Sequence, residues 1–427
     1  MAVSPLALLR TVRLGPLALT QACGAFNDNL VKNAMVVFAL FTLGQGGAGL
    51  SALAGALFIA PYLLLSATAG QLADRYPKSR VIFVTKLAEC VLMLAAAAAF
   101  LAGSVPGLLA VLFGLGVQAA MFGPVKYGVL PELLRPEELV AGNGVIEAGT
   151  FLAIVGGTVV GGMLALLPAG PALVSALGLA VSVLGVVSAR WIPAQQAADR
   201  RLRIRLNIVA ETWHLVRQAF AHPTIRWSIL GISWFWLVGA TLMTEFPVLA
   251  RDTIGADGSV LTLFLTVFAV GVGLGSIGAA RVLHGRLSGR WVPVAGLVIS
   301  VFLWEFAASA HAAAGFGLHS AGAMVSSWWG LRVLGDLLVL AAAGGLFSVP
   351  LYALMQDAAD ASRRSRTIAA NNVINALFMV AGAGLTAALA TAGLDAPAVL
   401  QAAAGANLCV AIGLARVWAP RPFGLGS

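Results

Sequence analysis

Asp28 and Lys32 stand four residues apart near the middle of an apolar stretch that runs from about residue 14 to residue 43. On a helix that spacing sets a carboxylate and an ammonium one turn apart on one face. Asn27, Asn29 and Asn33 surround them in the run Asn-Asp-Asn-Leu-Val-Lys-Asn. Charged groups in a hydrocarbon layer are costly and normally line a polar cavity or a pathway. The chemistry open to this set is recognition: oxygens for a cation, a point charge for an anion, amides for either. The sequence shows no hydrolytic triad, phosphate-binding loop or metal-ligand cluster, so no enzyme activity, cofactor or metal is expected.

The element that must carry these residues is a membrane helix. The chain has 427 residues, 60% of them hydrophobic and 10% charged, against about 25% charged in soluble domains. Its apolar runs are about 20 residues or longer, which suits helices crossing a core of roughly 30 Å. The short alternating segments of an outer-membrane barrel are missing. The first run is too long and too polar at its centre for a cleavable signal and reads as the first span. Cys23, Cys90 and Cys409 fall inside apolar runs with no disulfide or zinc spacing, so packing is their expected role. The net charge of +9 points to basic loops on one membrane face rather than to nucleic acid.

Twelve spans are read, at about 14–43, 48–73, 80–102, 107–130, 138–167 and 170–192, then 225–250, 257–282, 291–313, 329–355, 366–393 and 396–417. They divide the chain into a six-helix bundle over 1–193, a linker over 194–224 and a second bundle over 225–427. One set of loops and ends holds 21 of the 26 Lys and Arg, including Arg75, Lys78, Arg80, the run Arg200, Arg201, Arg203 and Arg205, and Arg363, Arg364, Arg366 and Arg421. The opposite loops hold only Arg251, while Lys32, Lys86, Lys126 and Arg332 lie within spans. This asymmetry places both ends and the linker in the cytoplasm. From Leu202 to Phe220 the linker reads as an amphipathic helix, with Leu206, Val209, Trp213 and Val216 at helical spacing, lying on the inner leaflet and its anionic lipid.

The halves repeat each other. Met121-Phe-Gly-Pro-Val-Lys-Tyr127 answers Leu346-Phe-Ser-Val-Pro-Leu-Tyr352, and Asn143-Gly-Val-Ile-Glu147 answers Asn371-Asn-Val-Ile-Asn375. Two repeated halves around a long loop are the mark of a duplicated transporter, with its site between them.

The loop between the second and third spans reads Gly70-Gln-Leu72-Ala-Asp74-Arg75-Tyr-Pro-Lys78-Ser-Arg80. It resembles the signature loop of the major facilitator superfamily, departing from it at Pro77, Lys78 and Ser79. Gly70 permits close helix approach, and Asp74 can bind arginines or the positive end of another helix. The resemblance implies an all-α membrane protein of the major facilitator fold, twelve transmembrane helices in two pseudo-symmetric bundles. It also implies a conformational latch of Gly70, Asp74, Arg75 and Arg80 with Arg366 on the eleventh span. The matching loop of the second half, Gly275 to Arg290, lacks the aspartate, so the latch is expected on one side only.

Ala25-Phe26-Asn27-Asp28-Asn29, the block from Phe122-Gly-Pro124-Val-Lys126-Tyr127-Gly128 to Glu132, and Asn143-Gly-Val-Ile-Glu147 are together similar to the lysophospholipid transporter (LplT) family and to the membrane portions of fused acyltransferases. What that resemblance implies is a carrier of lysophospholipids such as lysophosphatidylethanolamine in a bacterial inner membrane, acting as a monomer. No histidine has an aspartate five positions on, so the acyltransferase motif is missing. The carrier is expected alone, with any cytoplasmic acyltransferase partner a separate chain.

The residues read compatibly. Lys126 and Lys32 could meet a headgroup phosphate as point charges, and Asp28 and Glu147 an ammonium. Asn27, Asn29, Asn143 and Tyr127, with Asn371 and Asn375 from the repeat, complete the expected binding set. Pro124 frees backbone groups that need a polar surround. The alternative for Asp28, Lys32, Lys126 and Glu147 is a purely structural ion-pair network. Lys86 and Glu89 are expected to snorkel or pair near the membrane face, Arg332 and Asp336 to pair with each other, and Glu245 to be solvated. Glu305, with no visible neighbour, could carry a proton, as could Asp28. Gly157-Thr158-Val-Val-Gly161-Gly162 also resembles the motif of drug/proton antiporters, which leaves a proton-coupled exporter of small amphiphiles as the second reading. A non-transporting sensor or partner subunit is the third.

Overall fold

The computed structural model describes residues 4–44 and 48–418; Arg421, assigned above to a basic end, lies outside them. Twelve long helices carry the apolar runs. They are α1 (Gly15–Val37), α2 (Ala48–Arg75), α3 (Lys78–Leu101), α4 (Val105–Gly128), α5 (Leu139–Ala165) and α6 (Gly170–Ala189). After the linker come α7 (Pro223–Val248), α8 (Gly258–Val282), α9 (Val292–Ala312), α10 (Trp328–Ala358), α11 (Arg364–Thr391) and α12 (Ala396–Trp418). Eleven of the twelve are long and apolar enough to cross a membrane. The exception is α1, whose central Asn-Asp-Asn and Lys dilute an otherwise apolar run. It packs between α5 and α6, so it stands among the spans as the twelfth. The chain is a multi-pass membrane protein with no strand among the described residues.

The helix pairs repeat. The pairs α1 with α5, α2 with α4, α3 with α4 and α3 with α6 recur as α7 with α11, α8 with α10, α9 with α10 and α9 with α12. Adding six to each number maps one half on the other, as duplication requires. Between halves, α2 packs on α11 and α5 on α8, which are again one pair and its symmetry mate.

Proline lies inside α2 (Pro61), α4 (Pro124), α7 (Pro247) and α10 (Pro350). Each removes a backbone donor from its helix. Pro124 and Pro350 occupy equivalent stretches just before Tyr127 and Tyr352.

The linker differs from its sequence reading. Its helix begins only at Ile208 and runs to Ala221, because the Asn207 side chain caps the first turn by accepting from Ala210 N at 3.0 Å. Upstream, the chain is held extended along α2: Arg205 N donates to Gln71 Oε1 at 2.8 Å, and Gln71 Nε2 to Arg205 O at 3.2 Å. Leu206, Val209 and Trp213 remain exposed.

Candidate substrate-binding site and latch

The orientation of α1 decides which of its polar residues reach the space between the halves. Carbon atoms added at Gly157 and Gly161 of α5 would collide with the carbonyl oxygens of Phe26 and Leu30. Only glycine lets the two backbones approach this closely. Asn27, fully buried, donates from Nδ2 to Glu89 Oε1 at 3.0 Å and to Gly178 O at 3.1 Å. Lys86 and Glu89 form a fully buried ion pair at 2.6 Å. Gln118 Nε2 donates to the same carboxylate at 3.3 Å, and the ammonium lies 4.8 Å from the Phe122 ring centroid.

Sequence reasoning had Lys86 and Glu89 near the membrane face and Asn27 in the binding set. Instead, α1, α3, α4 and α6 gather around the pair, and Asn27 is spent on it. Burying two charges is tolerable only when each is paired and hydrogen-bonded, and Asn27 and Gln118 supply the extra bonds.

One residue further along α1, the side chain turns by about 100°. Asp28 is half-buried with Oδ1 unpartnered. Lys32 and Lys126 are likewise half-buried. Lys32 Nζ lies 5.9 Å from the Phe58 ring and Lys126 Nζ 4.8 Å from the Tyr127 ring. No ion pair within 4.0 Å joins Asp28, Lys32, Lys126 and Glu147. The ion pair buried beside α1 is Lys86 with Glu89, and among the described residues the four residues of the alternative network form no ion pair. Asn29 Nδ2 donates to Ala25 O within α1 at 2.8 Å.

Beside these charges the halves meet through a polar aromatic layer. Tyr127 donates to Glu147 Oε2 at 2.9 Å, leaving Oε1 unpartnered. Its ring stacks on Tyr352, centroids 4.4 Å apart and planes 13° from parallel. Trp236 Nε1 donates to the Tyr352 hydroxyl at 3.1 Å, and Phe151 stacks on the Trp236 ring at 5.7 Å. Asn143 and Gln356 exchange amide bonds at 2.7 and 3.0 Å. Asn371 and Asn372 are buried beside this layer, Asn371 with both polar side-chain atoms unpartnered and Asn372 with Nδ2 unpartnered. Asn375 accepts from Ser233 at 2.6 Å, within the second half. Sequence reasoning missed Tyr352, Gln356, Trp236 and Gln118 as site residues. The Tyr127/Tyr352 repeat was a signal for the first; the glutamines and Trp236 carried none.

The candidate latch centres on Asp74, which is fully buried at the end of α2. Its carboxylate accepts from Ser365 N at 3.1 Å, Arg366 N at 3.3 Å and Arg366 Nε at 2.9 Å. The N-terminus of α11 and a guanidinium thus hold one aspartate. Gly70 lies one turn earlier, where a Cβ would stand 2.7 Å from that of Ala369. Lys78, treated above as a basic loop residue, is fully buried and pairs with Glu132 at 2.6 Å. Arg75 stands over Tyr76 and Arg80 is exposed; neither reaches Asp74. Just before α11, Ser362 donates from N and Oγ to Asp360, which holds that carboxyl below the ordinary aspartate range. Among the described residues, the hydrogen bonds that cross between the halves are those of Asp74 and Asn143. Both sets lie toward the basic-loop end of the halves.

Other charges sit elsewhere. Glu305 is not alone: it pairs with Arg332 at 3.0 Å, both more than two-fifths exposed, and Asp336 accepts from Ser309 at 2.8 Å instead of meeting Arg332. Glu245 is 5% exposed rather than solvated.

The family model described as Major Facilitator Superfamily matches residues 17–331. The chain is 30% identical over 370 residues to a protein of Klebsiella pneumoniae named lysophospholipid transporter LplT, covering 86% of each chain. It is 33% identical over 318 residues to the protein of that name from Photorhabdus laumondii, covering 70% of this chain and 69% of that one. Among solved structures it is similar to a bacterial homologue of the iron transporter ferroportin in an outward-facing state, with a TM-score of 0.67 at 19% identity over 95% of this chain and 100% of that one. A major facilitator superfamily transporter, FucP, in the outward conformation gives a TM-score of 0.69 at 12% identity over 96% and 100%. These likenesses bear on the fold alone.

Proposed function

Because the chain belongs to the major facilitator superfamily, and within it to the lysophospholipid transporter family, we propose that it carries lysophospholipids such as lysophosphatidylethanolamine from the outer to the inner leaflet of a bacterial inner membrane. The single observation that carries this reading is the set Asp28, Lys32, Lys126 and Glu147, which form no ion pair with one another, with one oxygen each of Asp28 and Glu147 left without a hydrogen bond. A zwitterionic headgroup supplies both missing partners. Its phosphate meets Lys126 or Lys32, and its ammonium meets Asp28 or the free oxygen of Glu147. Asn371 and Asn372 offer amides from the other half.

Transport follows by alternating access. The bundles 1–193 and 225–427 rock about this site. Asp74 with α11, and Asn143 with Gln356, hold the basic-loop end shut while the far end admits substrate. With the basic loops and both termini in the cytoplasm, the far end faces the outer leaflet. The linker helix lies on the inner leaflet, its exposed Leu206, Val209 and Trp213 turned to lipid. The carrier works as a monomer, with any acyltransferase that consumes its product a separate cytoplasmic protein. The pairing of Glu305 with Arg332 weighs against Glu305 as the proton site of an exporter.

The test is uptake by purified protein in vesicles. Labelled lysophosphatidylethanolamine should move inward without an imposed proton gradient. Gradient-dependent export of unrelated amphiphiles, with no lysophospholipid movement, would favour the exporter reading.

A further inference from the structure

Two cavities occupy equivalent places at the far ends of the two halves. One, of about 470 Å³, lies between the end of α1, the end of α3 and the turn between α5 and α6, and is lined by Phe38, Leu43, Phe100 and Pro168 among others. The other, of about 430 Å³, lies between the end of α7, the end of α9 and the turn between α11 and α12. Its lining includes Glu245, Asp252, His311 and Asp395, with apolar Val248 and Leu394. The fold therefore makes this cavity without needing carboxylates in it, since the first half fills the same place with apolar side chains. Among the described residues the Glu245 carboxyl makes no hydrogen bond or ion pair while the residue is only 5% exposed, and its ionised form is unfavourable there unless it takes up a proton or a cation joins it.

We infer that the far-end cavity of the second half binds an alkylammonium group. Asp252, His311 and Asp395 form an exposed rim. Asp252 is already neutralised by Arg251 at 2.6 Å, and Asp395 caps α12 by accepting from Ala398 N at 2.9 Å. Glu245 is thus the acceptor left for a ligand. Among the described residues no group of three His, Cys, Asp or Glu side chains is placed to hold a metal ion. Oxygens spread around a space several times the roughly 30 Å³ share of a water suit a cation with bulk of its own. An ammonium donates charge-assisted hydrogen bonds to Glu245, and its methylenes lie against Val248 and Leu394. The chemistry is the same whether the amine is free or is the headgroup of an outer-leaflet lipid. This site stands apart from Asp28 and does not depend on the transport reading.

The experiment is equilibrium binding of labelled ethanolamine to the purified full-length protein in detergent, in an Asp28→Asn/Glu147→Gln background that removes the two carboxylates offered to an ammonium between the halves. Saturable binding is expected, weakened at least tenfold by adding Glu245→Gln and several-fold by Leu394→Trp, which fills the cavity. Displacement by lysophosphatidylethanolamine but not by lysophosphatidylglycerol, which lacks an ammonium, assigns the site to a lipid headgroup. Displacement by neither assigns it to a free amine, and in both cases the site stands. Absence of saturable binding, or binding unchanged by Glu245→Gln in a protein of normal helicity and elution, overturns the inference. Should that variant fail to fold, unchanged binding in the cavity-filling Leu394→Trp overturns it equally.

Discussion

Tyr127 and Tyr352, equivalent residues of the two halves, stack on each other across the boundary at 4.4 Å. Their hydroxyls look opposite ways chemically: Tyr127 donates to Glu147, and Tyr352 accepts from Trp236. A symmetric contact on the boundary has to part when the latch end opens. An aromatic pair contributes about 0.5–1.5 kcal/mol beyond its buried area. Tyr352→Ala should therefore shift the equilibrium toward the latch-open state by roughly 2- to 10-fold. Spin labels at the exposed positions Arg80 and Arg363, in a cysteine-free background, report this as a larger share of long distances. An unaltered distribution would remove the stack from the closure.

The latch makes a graded prediction. Asp74 receives two backbone donors as well as the Arg366 side chain. Removing the guanidinium leaves two bonds, whereas removing the carboxylate charge weakens all three. Hydrogen bonds to charged groups are worth about 1.5–3 kcal/mol each. Asp74→Asn should open the latch by roughly tenfold or more on the same distance measurement, and Arg366→Ala by less. The reverse order would show that the guanidinium, not the helix end, holds the aspartate.

The Lys86–Glu89 pair predicts a non-additive stability series. Losing one partner of a buried pair costs about 3–5 kcal/mol, while replacing both by apolar residues is often close to neutral. Glu89→Leu should lower the thermal unfolding midpoint strongly, and Lys86→Met added to it should recover most of the loss. Independent, additive losses would mean that the ammonium finds another partner.

Much of this was legible in the sequence. The apolar runs gave twelve spans, and the helices keep to them within a few residues. The repeat around Tyr127 and Tyr352 marked equivalent positions that turn out to touch. What the sequence could not supply was direction around each helix. Asn27 and Asp28 are neighbours in the same polar run, yet one turns into the bundle to Glu89 and the other is left half-buried with an unpartnered oxygen. Nothing local in the run separates them; the glycines of α5 and the ion pair of α3 do. Lys86 and Glu89 have the spacing of a helical pair, but their depth follows from the packing of four helices. Gln356 meets Asn143 across 213 positions, a contact that no local pattern encodes. Glu305 looked solitary because its partner Arg332 lies on the next helix.

The most direct measurement is the initial rate of lysophosphatidylethanolamine uptake into vesicles by the wild type, Asp28→Ala, Lys126→Ala and the double variant. Each substitution removes one charged contact to the headgroup, so each should lower the uptake rate at limiting substrate by roughly 10- to 100-fold. Glu305→Gln should leave it close to wild type. Wild-type uptake by correctly folded Asp28→Ala/Lys126→Ala protein would contradict a headgroup site at these residues.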